Sequence, residues 1–127
     1  MGIKKFEEYQ EVNEGYGGAP DQTFEIIGDK DLFLFFETVV EIQGSPLHMH
    51  KKNLDKNNQI LKDYQRDAEN YLGDQIQREG VAQTKVYERR NKPGITLRRE
   101  VRYKIENETT AQSIPFDLAE MGFETDT

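Results

Sequence analysis

The chain lacks cysteine and tryptophan and has only two histidines, His48 and His50. Without cysteine it has no disulfide, no thiolate metal site and no cysteine nucleophile. The sequence also lacks a GxSxG motif, a P-loop and a GxGxxG fingerprint, the usual signatures of hydrolases and nucleotide-binding enzymes. We therefore expect a protein that is not an enzyme, binds no cofactor and has no small-molecule substrate.

The two histidines are the only residues where metal chemistry could begin. Ser45 and Pro46 just before them are typical of a helix start, with serine as the N-cap and proline in the first turn. On a helix, two residues that are two positions apart point about 200° apart and cannot chelate one ion. We predict no metal site.

Long apolar runs are also missing. The N-terminus lacks the apolar stretch of a signal peptide, and the longest apolar run, residues 32–36, is far too short to span a bilayer. We expect a soluble protein with no membrane partner, located in the cytoplasm or within a virion or another large assembly.

The composition, 35% hydrophobic and 32% charged over 127 residues, suits one domain with a modest core. Residues 1–22 read as an N-terminal arm and a flexible joint, since residues 13–22 contain three glycines and a proline. Residues 23–106 form the predicted domain. Residues 107–127 form an acidic C-terminal docking segment.

Residues 23–43 predict a β-hairpin with a turn at residues 28–31. In the second strand, every other residue from Leu32 to Ile42 would share one face, while Phe33, Phe35 and the alternating residues after them would share the other. A helix is the rival interpretation, because residues 32, 35, 36, 39 and 40 also share a helical face. The many phenylalanine, valine, threonine and isoleucine residues favour the strand.

Residues 47–72 predict one long helix. Leu47, Leu54, Leu61 and Ala68 recur every seven residues, as do His50, Asn57, Tyr64 and Tyr71. One interpretation is an amphipathic helix that lies across a sheet. The other is a helix that pairs between subunits, with Asn57 fixing the register.

Residues 82–106 predict a second hairpin with its tip at residues 91–94. If this four-residue loop closes symmetrically, Arg90 pairs with Ile95 and Thr84 pairs with Val101. The distal third of the hairpin is polar on both faces, so we expect it to project as an arm. The predicted fold class is α+β: an antiparallel four-stranded sheet (ββαββ) with one long helix, a projecting β-hairpin arm and a short C-terminal helical turn.

The second hairpin is strongly basic, although the whole chain has a net charge of −7. Residues 85–104 contain eight basic and two acidic residues, which suggests a surface that binds a negatively charged partner. The candidate interaction residues of this hairpin are Lys85, Tyr87, Arg89, Arg90, Lys92, Arg98, Arg99, Arg102 and Lys104.

The C-terminal segment has the opposite charge, since residues 106–127 contain six acidic residues and no basic one. Its apolar residues are the second set of candidate interaction residues: Ile114, Phe116, Leu118, Met121 and Phe123. The segment could cover the basic hairpin of its own chain or that of a neighbouring subunit.

These features predict a non-enzymatic structural or assembly protein. Its expected partners are copies of itself or another protein subunit, bound through the basic hairpin and the acidic tail. One alternative is a nucleic-acid-binding accessory protein that uses the same hairpin. A second alternative is an acidic inhibitor of another protein.

Overall fold

A computed structural model describes residues 19–40, 51–92 and 94–126. The elements follow in the order β1 (Asp21–Ile27), β2 (Asp31–Val40), α1 (Lys51–Leu72), a 3-10 turn (Gly73–Gln75), β3 (Ile76–Glu88), β4 (Ile95–Ile105), α2 (Glu108–Glu120) and β5 (Glu124–Thr125). None of the helices within these residues is long and apolar enough to cross a membrane.

The strands form one five-stranded sheet in the order β3-β4-β2-β1-β5. The sheet is mostly antiparallel, but β5 runs parallel to β1. The α+β class is confirmed, whereas the prediction of four antiparallel strands was wrong. β5 was missed because its two residues are too few to show an alternating pattern.

The predicted alternation in β2 is confirmed over the part that the structure describes. Leu32, Leu34 and Phe36 are buried on the face that packs against the helices, called the core face. Phe33 and Glu37 lie on the opposite face, called the open face, where both are half-buried. The predicted positions 41 and 42 lie outside the described residues.

Helix α1 packs on the core face, as the first of the two interpretations predicts. Leu61, Ala68 and Leu72 are buried in the same core cluster as the sheet residues. The helix ends at Leu72, and the next residue, Gly73, has a φ of 54°, a left-handed conformation that glycine adopts without steric cost. The predicted start at Ser45 and Pro46 lies outside the described residues, and pairing of this helix between subunits stays a prediction.

The second hairpin exists, but its register differs from the predicted one by two residues. Thr84 pairs with Arg99 and Glu88 pairs with Ile95, so six residues rather than four connect the strands. A shift of two residues leaves each side chain on its predicted face, because side chains alternate with a period of two. Val101, Tyr103 and Ile105 are accordingly buried in the core.

The prediction that this hairpin projects as an arm was wrong. β4 pairs with β2 along its length, from Ile95 opposite Val40 to Lys104 opposite Asp31. β4 is therefore an inner strand, and β3 is an edge strand of the sheet. The polar character of both faces had suggested projection. Arg99, one of these polar residues, is accommodated on the core face because Gln65 of α1 and Thr84 of β3 accept hydrogen bonds from it.

The predicted C-terminal helical turn is a full helix of 13 residues. It begins at Glu108, because the side chain of Asn107 caps it and accepts a hydrogen bond of 2.8 Å from the Thr110 backbone N–H. Pro115 lies inside the helix. Ile114 and Leu118 are fully buried in the domain core, so α2 packs on its own sheet.

Phe123 and Phe116 provide a matched test of this C-terminal packing. Phe123 is 4% exposed, and its ring meets that of Phe36 edge to face at 5.6 Å, whereas Phe116 is 73% exposed. We expect Phe123→Ala to lower the free energy of unfolding by about 3–5 kcal/mol and Phe116→Ala to change it by less than about 0.5 kcal/mol. Urea denaturation measures both, and equal losses would contradict this packing.

Candidate interaction surface

Arg98 lies on the open face and is bound by groups of its own chain. Its guanidinium donates to Glu37 at 3.0 Å and to Asp126 at 3.3 Å, and it covers the ring of Phe35 at 4.3 Å. Burial alone would lower the pKa of Arg98, but the two carboxylates raise it above its ordinary value. This contact also explains why Phe35 is buried although it lies on the open face.

Arg102 and Lys104 are held on the same face in a similar way. Arg102 forms ion pairs with Asp31 at 3.3 Å and with Glu79 at 3.4 Å, and its guanidinium lies 5.5 Å from the ring centre of Phe33. Lys104 reaches the other carboxylate oxygen of Glu79 at 3.8 Å. Three of the predicted interaction residues are thus neutralised within the chain.

Arg99 points to the core face and belongs to a polar cluster beneath α1. Its guanidinium donates to Gln65 Oε1 at 2.6 Å and to Thr84 Oγ1 at 3.0 Å. Burial lowers the pKa of Arg99 from its ordinary value, and the nearby positive charge of Arg78 lowers it further. Arg99 is therefore a half-buried residue that is bound within its own chain rather than part of an exposed basic patch.

The carboxylate of Glu69 adjoins this cluster and accepts hydrogen bonds from three side chains. Tyr103 Oη donates to it at 2.7 Å, Arg78 at 2.7 Å and 3.0 Å, and Gln65 at 3.0 Å. Burial alone would raise the pKa of Glu69, but these hydrogen bonds outweigh it and lower the pKa. This cluster could not be predicted from the sequence, because its members come from three separate elements, α1, β3 and β4.

The remaining basic residues lie at the far end of the hairpin. Lys85 is exposed on the open face opposite Arg98, and Arg89, Arg90 and Lys92 lie in the loop that follows β3. We call these four residues the basic tip. Within the described residues, Lys85, Arg90 and Lys92 form no ion pair, so the basic tip retains positive charge that can attract an acidic partner.

The outer edge of β3 is the second exposed feature of the hairpin. Among the described residues, no strand pairs with this edge. A bulge between Glu79 and Gln83 interrupts the first half of β3, and Gly80 adopts a φ of 72° there. The regular part is residues 83–88, called the β3 edge, where Val86 is 51% exposed and Tyr87 is 45% exposed.

The bulge also leaves a surface cavity of about 390 Å³ on the open face. Its walls include Glu79, Lys85 and Glu100. One oxygen of Glu79, Oε1, has no hydrogen-bond partner, although it lies 3.4 Å from Arg102 Nε. The described residues contain no group of three or more histidine, aspartate or glutamate side chains that could hold a metal ion. His48 and His50, at which we predicted no metal site, lie outside them.

The apolar residues of the C-terminal segment are mostly inside the domain. Ile114, Leu118 and Phe123 are buried, and Met121 packs partly against the same core. Phe116 is the one member of the predicted set that is largely exposed. The structure therefore brings Lys85 and Tyr87 together with Val86 at the β3 edge, but it does not bring the tail's apolar residues to the surface.

Comparisons with known protein families, with curated proteins and with solved structures return no significant match.

The low pKa of Glu69 has a measurable effect on stability. A carboxyl group whose pKa is lowered in the folded state stabilises the fold above its unfolded pKa, and this contribution disappears as the pH falls through the folded pKa. We expect Glu69→Gln to reduce the loss of stability that the wild type shows on acidification from neutral pH to below the ordinary glutamate pKa. Urea denaturation across that range provides the measurement.

The matched control is Glu100→Gln, because Glu100 is exposed and forms no ion pair among the described residues. We expect this variant to retain the wild-type pH dependence. If Glu69→Gln retained it as well, the hydrogen bonds to Glu69 would not stabilise its charged form.

Proposed function

We propose that this protein is a non-enzymatic assembly protein, which associates with copies of itself or with another protein subunit through the β3 edge and the basic tip. The observation that carries the proposal is the edge position of β3: within the described residues, its outer backbone groups have no partner strand. An edge strand offers a row of N–H and C=O groups to an incoming strand, which is a common way for protein subunits to bind each other.

The side chains of the β3 edge suit such a contact. Val86 and Tyr87 lie on opposite faces of the strand, and both are about half exposed, so an added strand would bury apolar surface on each side. This burial matters because exposed ion pairs contribute only about 0–1 kcal/mol each. The backbone and apolar contacts supply affinity, and the charges of the basic tip select an acidic partner.

The distribution of positive charge favours a protein partner over a long polyanion. Arg98, Arg99, Arg102 and Lys104 are bound within the chain. Among the described residues of the hairpin, the cations that form no ion pair are therefore Lys85, Arg90 and Lys92. A short acidic segment matches this small area. We place the protein in the cytoplasm or within a virion or another large assembly, the settings in which a small assembly subunit operates.

Nucleic acid is the second candidate partner, because Tyr87 is exposed on the same strand face as Lys85. An exposed aromatic ring beside cations can stack on an unpaired base, while the cations contact phosphates. The overall charge of −7 opposes long-range attraction to nucleic acid, which is why we rank this function second.

Light scattering over a range of protein concentrations tests the assembly function. We expect the apparent mass to rise with concentration. The double variant Lys85→Glu, Arg90→Glu should weaken association by at least about tenfold, since it reverses two charges at the contact. The matched control is Lys30→Glu, Lys62→Glu, which reverses two exposed charges outside the hairpin and should associate like the wild type. A strict monomer at all concentrations would contradict self-association.

A titration of a fluorescent single-stranded oligonucleotide at low salt tests the second candidate. If the hairpin binds nucleic acid, Tyr87→Ala should weaken binding by about 1–3 kcal/mol through lost stacking. Phe116→Ala, which removes an exposed ring on α2, should leave it unchanged. Absence of binding below millimolar concentration would exclude this function.

A further inference from the structure

We propose that residues 6–14 of a second copy of this chain occupy the β3 edge. This inference rests on the proposed self-association and names the segment that performs it. The acidic C-terminal segment does not fill this role, because Ile114, Leu118 and Phe123 are buried in the core of their own domain. The apolar residues of that segment are therefore not available to a second copy, and we consider the other acidic segment of the chain.

Residues 6–14 have the composition that this surface requires. They contain four glutamates and no basic residue, and Phe6, Tyr9 and Val12 are distributed among these charges. Residues 83–92 contain four basic residues and one acidic residue. The two segments therefore have opposite charge, and both carry the apolar side chains that strand addition buries.

The position of β1 makes the contact sterically possible. Asp21 lies in one row across the sheet with Glu37, Arg98 and Lys85. A strand added outside β3 would lie four strand spacings from β1, or about 19 Å. Residues 15–20 can extend about 20 Å at most, so residues 6–14 could reach the β3 edge of their own sheet only through a fully extended linker, whereas a neighbouring copy can approach without that constraint.

Exchange of such a segment between copies has a simple energetic basis. The segment makes the same contacts whichever copy supplies it, so a shared arm links subunits without a separate interface. The β3 edge is the place where this exchange is possible, because the opposite edge of the sheet is partly covered by β5, which pairs with Thr23 and Phe24 of β1.

Paramagnetic NMR on the full chain tests the proposal directly. The chain contains no cysteine, so Gln10→Cys places a single nitroxide within residues 6–14 without changing a charge. Copies that carry the nitroxide are mixed with isotopically labelled copies that lack it, and only contacts between copies broaden the observed signals. We expect strong broadening of the amide signals of residues 83–88, and much weaker broadening at residues 23–27 of β1, which lies about 19 Å from an added strand.

A charge exchange identifies the contact. Lys85→Glu, Arg90→Glu in the observed copy should abolish the broadening, and Glu8→Lys, Glu11→Lys in the nitroxide copy should restore it. The control Lys30→Glu, Lys62→Glu in the observed copy should leave the broadening as in the wild type. Failure of the charge exchange to restore the contact would overturn the assignment of these charges to each other.

The possible outcomes separate this inference from the proposed function. Absence of broadening while light scattering still shows oligomers would overturn the inference and leave the assembly function intact. Absence of both would overturn the inference and the proposed self-association. A further sample carries nitroxide and isotope on the same chain and is diluted with excess unlabelled protein. If broadening occurs in this sample but not in the mixed one, the segment binds its own copy. That result would overturn the second-copy assignment.

Discussion

The antiparallel pairing of β2 with β4 determines most of this structure. It joins ten residue pairs, from Asp31 opposite Lys104 to Val40 opposite Ile95, and it places Leu34 and Val101 side by side under the helices. Because β4 is bound along this length, the hairpin lies in the sheet rather than beside it. β3 then becomes the edge strand that the proposed function needs.

The same pairing also decides which positive charges remain available. It places Arg98 opposite Glu37 and Phe33 opposite Arg102, so carboxylates and rings of the chain itself bind these cations. Arg99 points the other way and contacts Gln65 of α1. A sequence segment with a net charge of +6 therefore presents a much smaller basic surface, restricted to the end of the hairpin.

Local patterns in the sequence predicted the α+β class, the alternation of β2 and β4, and the helix that ends at Leu72. These features depend on the period of apolar residues, which a single segment displays. The sequence did not predict β5, the bulge at Gly80, or the packing of Phe123 on Phe36, because each of these depends on residues distant along the chain. The basic tip was found from charge alone. Recognising that no described strand pairs with the β3 edge required the strand order.

Amide hydrogen exchange of residues 83–88 at low and high protein concentration tests the central claim most directly. Pairing of a second chain with the β3 edge would place its outward-facing amides in hydrogen bonds, so we predict that their exchange slows as protein concentration rises. The amides of β1 that face β5 should exchange at a rate that does not depend on concentration. Exchange at the β3 edge that is independent of concentration, in a sample that scattering shows to be oligomeric, would contradict this account.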